Sequence, residues 1–278
     1  LKTALSVELG EEARARGVRL LALDEVDSTN EEAKRLVAGG ERGPIWVVAG
    51  QQSRGKGRLG REWISTQGNL HASLIYSGDL APALAPQLGF VAGVAAINAL
   101  RQAAQLGDQI ALKWPNDLLL GGGKLGGILL EGVSVATGDP RQPDNLVTII
   151  GIGVNCAVAP KGLPYAARAL QSIGARAPSA EQLFARLSDC FVATLDLWAA
   201  GEGFPTIREK WLADAAGLGD PIRVAVSRGE ELQGRFKTID ASGRLIVATD
   251  QGDQVVDAGD VFFGPNEADN LKLSGSRS

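Results

Sequence analysis

The spacing of apolar and polar positions changes period several times along this chain. A short helix-like stretch from residue 11 precedes an apolar run at 18–26 that predicts an edge strand. Asp27-Ser28-Thr29-Asn30-Glu31-Glu32 comes next. Ser28 with Glu31, and Thr29 with Glu32, have capping-box spacing, so a helix is predicted to start there and to stop at Gly39-Gly40. Runs at 45–49 and 69–76 predict strands, and residues 86–106 predict a buried helix rich in Ala and Gly. Further strands are predicted at 111–114, 127–132 and 146–154. The last is apolar almost throughout, which suits the middle of a sheet. Ser179 and Gln182 should cap an amphipathic helix whose apolar face is Leu183, Phe184, Leu187, Phe191, Leu195 and Trp198.

After Ala216 the texture changes. Short strands are predicted at 222–226, 231–239, 244–249 and 254–257, split by turn clusters such as Ser227-Arg228-Gly229 and Asp240-Ala241-Ser242-Gly243. Strands at that spacing suggest a small barrel or sandwich. The expected organisation is a mixed α+β domain over 1–216, a small all-β domain over 217–265 and a disordered polar tail over 266–278.

Composition narrows the chemistry. A length of 278 residues suits about two domains, and a net charge of −4 argues against the broad basic face of a general nucleic-acid binder. One His and two Cys, Cys156 and Cys190, without a CxxC pattern make a metal cage an unfavourable reading. His71 lies inside a predicted strand, where a packed or half-exposed histidine is a plainer reading than half of a nucleophilic pair. Two Cys form no disulfide framework, and no apolar leader is visible, so a cytoplasmic protein is expected. The uncharged run 80–100 raises the question of a membrane. Pro82, Pro86, Gln87 and Asn98 interrupt it, and a core helix is the better reading. The chain contains no Met, so Leu1 is read as a boundary.

The chemistry must then rest on Lys, Arg, Asn, Gln and backbone. Gly55-Lys56-Gly57-Arg58-Leu59-Gly60 matches the dinucleotide pattern G-x-G-x-x-G, which carries meaning only between a strand and a helix. Polar residues separate it from the strand before it, and Arg61-Glu62-Trp63-Ile64 is a poor helix start, so that reading fails. What remains is an anion clamp. Arg54, Lys56, Arg58 and Arg61 are interleaved with glycines and no acid intervenes. Like charges on a glycine-rich segment predict a loop that an anionic ligand orders. Lys113-Trp114-Pro115-Asn116-Asp117 ends a strand in a turn, Lys124-Leu125-Gly126-Gly127-Ile128 opens another strand, and Gly151-Ile152-Gly153-Val154-Asn155 closes a third. Asn155 offers both donor and acceptor to a ligand.

Taken in order, these segments resemble the biotin protein ligase (biotin–[acetyl-CoA-carboxylase] ligase) family. The resemblance rests on Asp27-Ser28-Thr29-Asn30, Gln52 with the glycine loop, Lys113-Trp114-Pro115-Asn116-Asp117-Leu118, the run from Lys124 to Glu131, and Gly151-Ile152-Gly153-Val154-Asn155. Lys56 departs from the family's usual Arg, which keeps charge but loses bidentate geometry. Only about 26 residues precede Asp27, too few for the winged-helix domain of the bifunctional repressors, so the monofunctional type without a DNA-binding domain is expected.

The resemblance implies a class II aminoacyl-tRNA synthetase-like catalytic domain with a mixed sheet and flanking helices, plus a small C-terminal SH3-like β-barrel. It implies ATP-dependent biotinylation of a carrier lysine through biotinyl-5′-AMP. Lys113 and Arg58 would be catalytic. Ser28, Thr29, Asn30, Gln52, Lys56, Gly57, Arg58 and Lys113 would bind biotin, and Arg58, Arg61, Lys113 and Asn155 the nucleotide. ATP and biotin would be substrates, with Mg²⁺ expected and no protein ligand set for it legible. The partner would be a biotin carboxyl carrier protein, such as an acetyl-CoA carboxylase subunit, with no nucleic acid or membrane; a homodimer stays open. Lipoate or octanoate ligation is the nearest alternative, and a non-catalytic biotin-responsive protein or a DNA-binding repressor are others.

Overall fold

The computed structural model describes residues 6–78, 81–104, 106–136, 145–226 and 230–263. In chain order these form α1 (Glu11–Ala15), β1 (Arg19–Val26), α2 (Thr29–Ala38), β2 (Ile45–Gln52), β3 (Leu70–Tyr76), α3 (Gln87–Ala104), β4 (Ile110–Lys113), β5 (Asp117–Leu120), β6 (Gly123–Val135) and β7 (Asn145–Val154). Then come α4 (Ala180–Trp198), α5 (Phe204–Ala213), β8 (Pro221–Ala225), β9 (Glu231–Ile239), β10 (Leu245–Thr249), β11 (Gly252–Val256) and β12 (Asp260–Phe263). The fold is mixed α+β with helices flanking a mixed sheet.

The main sheet runs β1-β2-β3-β7-β6-β5-β4; β1 and β2 are parallel and the other neighbours antiparallel. The apolar run 146–154 therefore lies at the centre, because both of its faces are covered. Two-residue alternation assigns those faces. Trp46 and Val48 of β2, Leu70, Ala72 and Leu74 of β3, and Ile150 and Ile152 of β7 join α3, α4 and α5 in the larger core. There Trp46 meets Phe184 and Phe191 edge-on, with ring centroids 5.6 and 5.4 Å apart. Ile45, Val47, Ile75, Val147 and Ile149 point to the other side and meet Ala33 and Val37 of α2.

The second sheet is antiparallel, in the order β11-β10-β9-β8-β12. Its apolar residues Ile222, Val224, Phe236, Ile239 and Val247 belong to the same core cluster as the main sheet. Trp114 donates its indole N–H to the Gly243 carbonyl across that junction at 3.1 Å. The segment Pro82–Ala104 is long and apolar enough to cross a membrane by length and composition. Here α3 is packed within the core, as the sequence suggested.

Departures from the sequence reading have physical causes. Ser28 is the N-cap of α2, but its side chain makes no capping bond. The carboxylates meant to close the box have cationic partners instead: Glu31 takes Lys34 and Lys56, and Glu32 takes Arg35. The box at Ser179 and Gln182 does form. Strands β5 and β12 are four residues each, too short to show a period, and α5 lies in a stretch whose apolar positions are sparse. The turn at 227–229 and the tail at 266–278 lie outside the described residues.

Candidate active site

The face of the main sheet that α2 covers changes character along the strands. Ile75 and Ile149 lie under the helix, while His71 and Ser73 on β3, and Gly151 and Gly153 on β7, continue the same face beyond the apolar cluster. Glycine leaves room there, and a cavity of about 640 Å³ results, within the range of small-molecule sites. The space above each glycine is assigned. A Cβ on Gly151 would lie 2.3 Å from Asn30 Oδ1, and one on Gly153 would lie 2.7 Å from the Trp63 ring.

One part of the wall is a hydrogen-bonding group built around the start of α2. The Thr29 N–H and hydroxyl both donate to Gln52 Oε1, at 2.7 and 3.0 Å, and Gln52 Nε2 donates to Ser65 Oγ at 2.8 Å. The Ser73 hydroxyl donates to Asn30 Oδ1 at 2.5 Å and lies 2.7 Å from Thr29 Oγ1. Asn30 Nδ2 donates to Glu131 Oε2 at 2.8 Å, and Lys34 holds the other Glu131 oxygen at 2.6 Å. Ser28, Thr29 and Asn30 are all buried. Arg35 grips Asp27 with two nitrogens and keeps its carboxyl far below the usual carboxylate range, which fixes the turn entering the helix.

A second part is cationic. Lys113 ends β4, just before the turn Trp114-Pro115-Asn116, in which the Trp114-Pro115 bond is cis. Burial holds its ammonium below the usual lysine value, Lys124 adds to this, and Asp117 and Asp260 oppose it. Lys124 pairs with Asp117 at 2.7 Å between the rings of Trp63 and Tyr165, at 5.9 and 5.5 Å. Arg58 donates to Asn116 Oδ1 at 3.2 Å, and burial lowers its guanidinium against the pull of Asp260, 3.8 Å away. The glycine loop is a tight reverse turn: the Gly57 N–H donates to the Arg61 carbonyl at 2.7 Å and the Trp63 N–H to the Gly55 carbonyl at 2.9 Å. Leu59, 81% exposed with φ +57°, forms its tip. No helix follows, so the dinucleotide context is absent as expected. Acids from other elements partner its cations: Asp27 for Arg54, Glu31 for Lys56, Asp260 for Arg61.

Ser28, Thr29, Asn30, Gln52, Lys56, Gly57, Arg58, Arg61 and Lys113 all line this cavity. Asn155 does not. Its Nδ2 donates to the Arg168 carbonyl at 3.1 Å and its Oδ1 lies 3.5 Å from Asn69 Nδ2, and it lines a small adjoining pocket with Trp63, Lys124 and Tyr165. His71 lies in the cavity wall at 2% exposure, and burial pushes its imidazole down to about 4. It is neutral at pH 7 and packed in its strand, the first of the two placements the sequence allowed.

The profile described as the biotin/lipoate A/B protein ligase family matches residues 23–155, and the biotin protein ligase C terminal domain matches 217–264. A biotin–[acetyl-CoA-carboxylase] ligase of Paracoccus denitrificans is 40% identical over 250 residues, covering 87% of this chain and 99% of that protein. The chain belongs to the biotin protein ligase family. Biotin protein ligase from Aquifex aeolicus in complex with biotin and ATP has a similar structure: TM-score 0.73, 25% identity, 88% of this chain and 97% of that one. The Leishmania major biotin protein ligase in complex with biotinyl-5-AMP superposes with TM-score 0.55 at 26% identity, covering 86% and 99%.

Within this ligase fold the site includes residues that sequence reasoning did not single out. Lys124 and Asn116 stood inside quoted motifs, but nothing in a linear pattern says that a lysine eleven places after another returns to the same wall. It returns because β5 folds back antiparallel on β4, and β6 folds back antiparallel on β5. Trp63 was read only as a poor helix start, and Asp260, Phe262 and Phe263 come from the distant end of the chain. No local signal could have found these last three.

Proposed function

We propose that this chain ligates biotin to a lysine of a biotin carboxyl carrier protein, such as an acetyl-CoA carboxylase subunit, in two ATP-driven steps. The observation that carries the reading is one cavity joining two unlike groups: the neutral donor–acceptor set of Thr29, Asn30 and Gln52, backed by the buried Ser73, and the cations Lys113, Lys124 and Arg58. The first suits a ureido ring, which needs both donors and acceptors. The second suits a carboxylate meeting a phosphate.

In the first step a biotin carboxylate oxygen attacks the α-phosphorus of ATP, and the bond to the β-phosphate oxygen breaks to release pyrophosphate. Lys113 would touch both the carboxylate and the α-phosphate, with Arg58 on the same phosphate and Arg61 on the outer ones. Preorganised cations in a site shielded from water stabilise this redistribution of charge. In the second step the carrier amine attacks the acyl carbon and AMP leaves. Neither step needs a nucleophile from the protein. Cys156 and Cys190 are buried, and burial raises both thiols, Cys156 to about 12. The cavity carboxylates Glu62, Asp117 and Asp260 do not suit a protein-held Mg²⁺, since Asp117 is taken by Lys124 and Asp260 by Arg61. Among the described residues no group of three metal-ligating side chains occurs; a Mg²⁺ ion entering with the nucleotide would neutralise part of its phosphate charge.

In this reading residues 1–216 carry the ligation chemistry, 217–265 form a small SH3-like unit, and the enzyme is cytoplasmic. Biotin-dependent ATP–pyrophosphate exchange tests it, with lipoate as the competing acid. Exchange driven by biotin and not by lipoate is expected; equal use of both would overturn the assignment.

A further inference from the structure

The second sheet sends its last strand into the cavity, and its two aromatic residues meet Lys113 there. The Lys113 ammonium lies 5.8 Å from the ring centroid of Phe262 and 5.4 Å from that of Phe263. Phe262 has a second cation on it, since the Arg223 guanidinium is 4.7 Å from its centroid, and strand pairing sets those two residues opposite each other. Phe263 is seated against Gly217, where a Cβ would stand 2.4 Å from its ring. Both rings are part exposed, at 41% and 43%, and both line the cavity. An aromatic face attracts a cation while stripping water from it, and the attraction grows as water is excluded.

We propose that Phe262 and Phe263 are positioning residues for the ligation reaction: they form an aromatic cap that holds the Lys113 ammonium charged and aimed into the cavity. The cap rests on the ligase reading only for what Lys113 then does; the contact itself is independent of it. Buried against apolar groups alone, a lysine drifts toward its neutral form, which cannot stabilise phosphate charge. Two ring faces counter that drift without supplying a carboxylate that would compete with the ligand for the ammonium. The other charged groups facing Lys113 are Asp117 on β5, Lys124 on β6 and Asp260 on β12. Changing the rings leaves these three side chains in place and frees only the Arg223 guanidinium from Phe262, a change the tyrosine variant restores.

The experiment compares F262L/F263L, which keeps apolar bulk but removes the ring faces, with F262Y/F263Y, which restores them. The full chain carries lysine labelled at Cε, and the Lys113 resonance is followed against pH without substrate. Loss of two cation–ring contacts is expected to move the Lys113 titration down by about 1 pH unit in the leucine variant. The tyrosine variant should recover the unmodified position. In biotin-dependent ATP–pyrophosphate exchange the alkaline limb of the rate profile should move down with it, and the maximal rate should fall more than the KM for ATP rises. A Lys113 titration equal in the leucine and unmodified proteins would overturn the cap. So would a leucine variant changed only in its KM for ATP, which would make the rings a platform for the base. If the titration moves but the unmodified protein gives no biotin-dependent exchange, the cap stands and the ligase reading is what fails.

Discussion

Gly151→Ala tests how the cavity is built. The added methyl would stand 2.3 Å from Asn30 Oδ1, 3.1 Å from its Cγ and 3.2 Å from its Nδ2, so the Asn30 carboxamide must leave its place. That carboxamide is buried at the start of α2 and bonded to Ser73 at 2.5 Å and to Glu131 at 2.8 Å. Displacing it forfeits one neutral hydrogen bond at about 1 kcal/mol and one to a charged carboxylate at about 1.5–3 kcal/mol, so the loss is ~2–4 kcal/mol. No positive φ is required at this glycine, so alanine by itself restricts only the unfolded chain, a gain of about 0.4–1 kcal/mol. The two terms have opposite signs and separate in a double-mutant cycle. In the unmodified protein Gly151→Ala should destabilise by ~2–3 kcal/mol in urea unfolding and weaken biotin binding by calorimetry at least tenfold, because the Thr29–Asn30 turn moves. In an Asn30→Ala background the same substitution should be neutral or slightly stabilising. A similar loss in both backgrounds would refute the reasoning, since the methyl would then be colliding with something other than Asn30.

His71 supplies a pH test. Its folded value of about 4 lies below the ordinary 6.5, so the unfolded chain binds the proton first, and stability present above pH 6.5 is lost as pH falls toward 4. At pH 4.5 the loss relative to pH 7 should be ~2.5 kcal/mol larger than in His71→Phe by urea unfolding; parallel curves would show that the ring is not buried neutral. Lys113→Ala should slow biotin adenylation by about 10²–10³ while the thermal midpoint moves little, and an unchanged exchange rate would remove Lys113 from the mechanism. Gln52→Ala takes the acceptor from Thr29 and a donor from Ser65. It should lower the preference for biotin over lipoate in competitive exchange by about tenfold or more, whereas a kept preference would place ureido recognition elsewhere.

Local signals set much of this protein. Apolar runs at 45–49, 69–76 and 146–154 mark three neighbouring strands of the main sheet. The apolar run at 146–154 was legible as a central strand because only a strand covered on both faces can be apolar throughout. The Ser179–Gln182 cap was legible because both partners lie within one helical turn. The site segments Ser28-Thr29-Asn30, Gln52, Lys56-Gly57-Arg58 and Lys113 were likewise legible, each within a few residues of a turn or strand end.

What the sequence could not decide were partners far apart along the chain. The capping box at Ser28 fails because Lys34 and Lys56 compete for Glu31, and Lys56 arrives from a loop 25 residues away. Asn155 looked like a ligand group because a strand-end asparagine is polar and free in one dimension; in three, Asn69 and Arg168 occupy it. The two glycines on β7 read as one motif, yet one makes room for Asn30 and the other for Trp63. Asp260, Phe262 and Phe263 join the cavity only because the second sheet docks on the first through Trp114 and the shared core. Periodicity and turn chemistry act over a few residues, so the sequence determines elements and their faces. Which polar side chain meets which is settled by how those faces pack, and tertiary structure alone decides it.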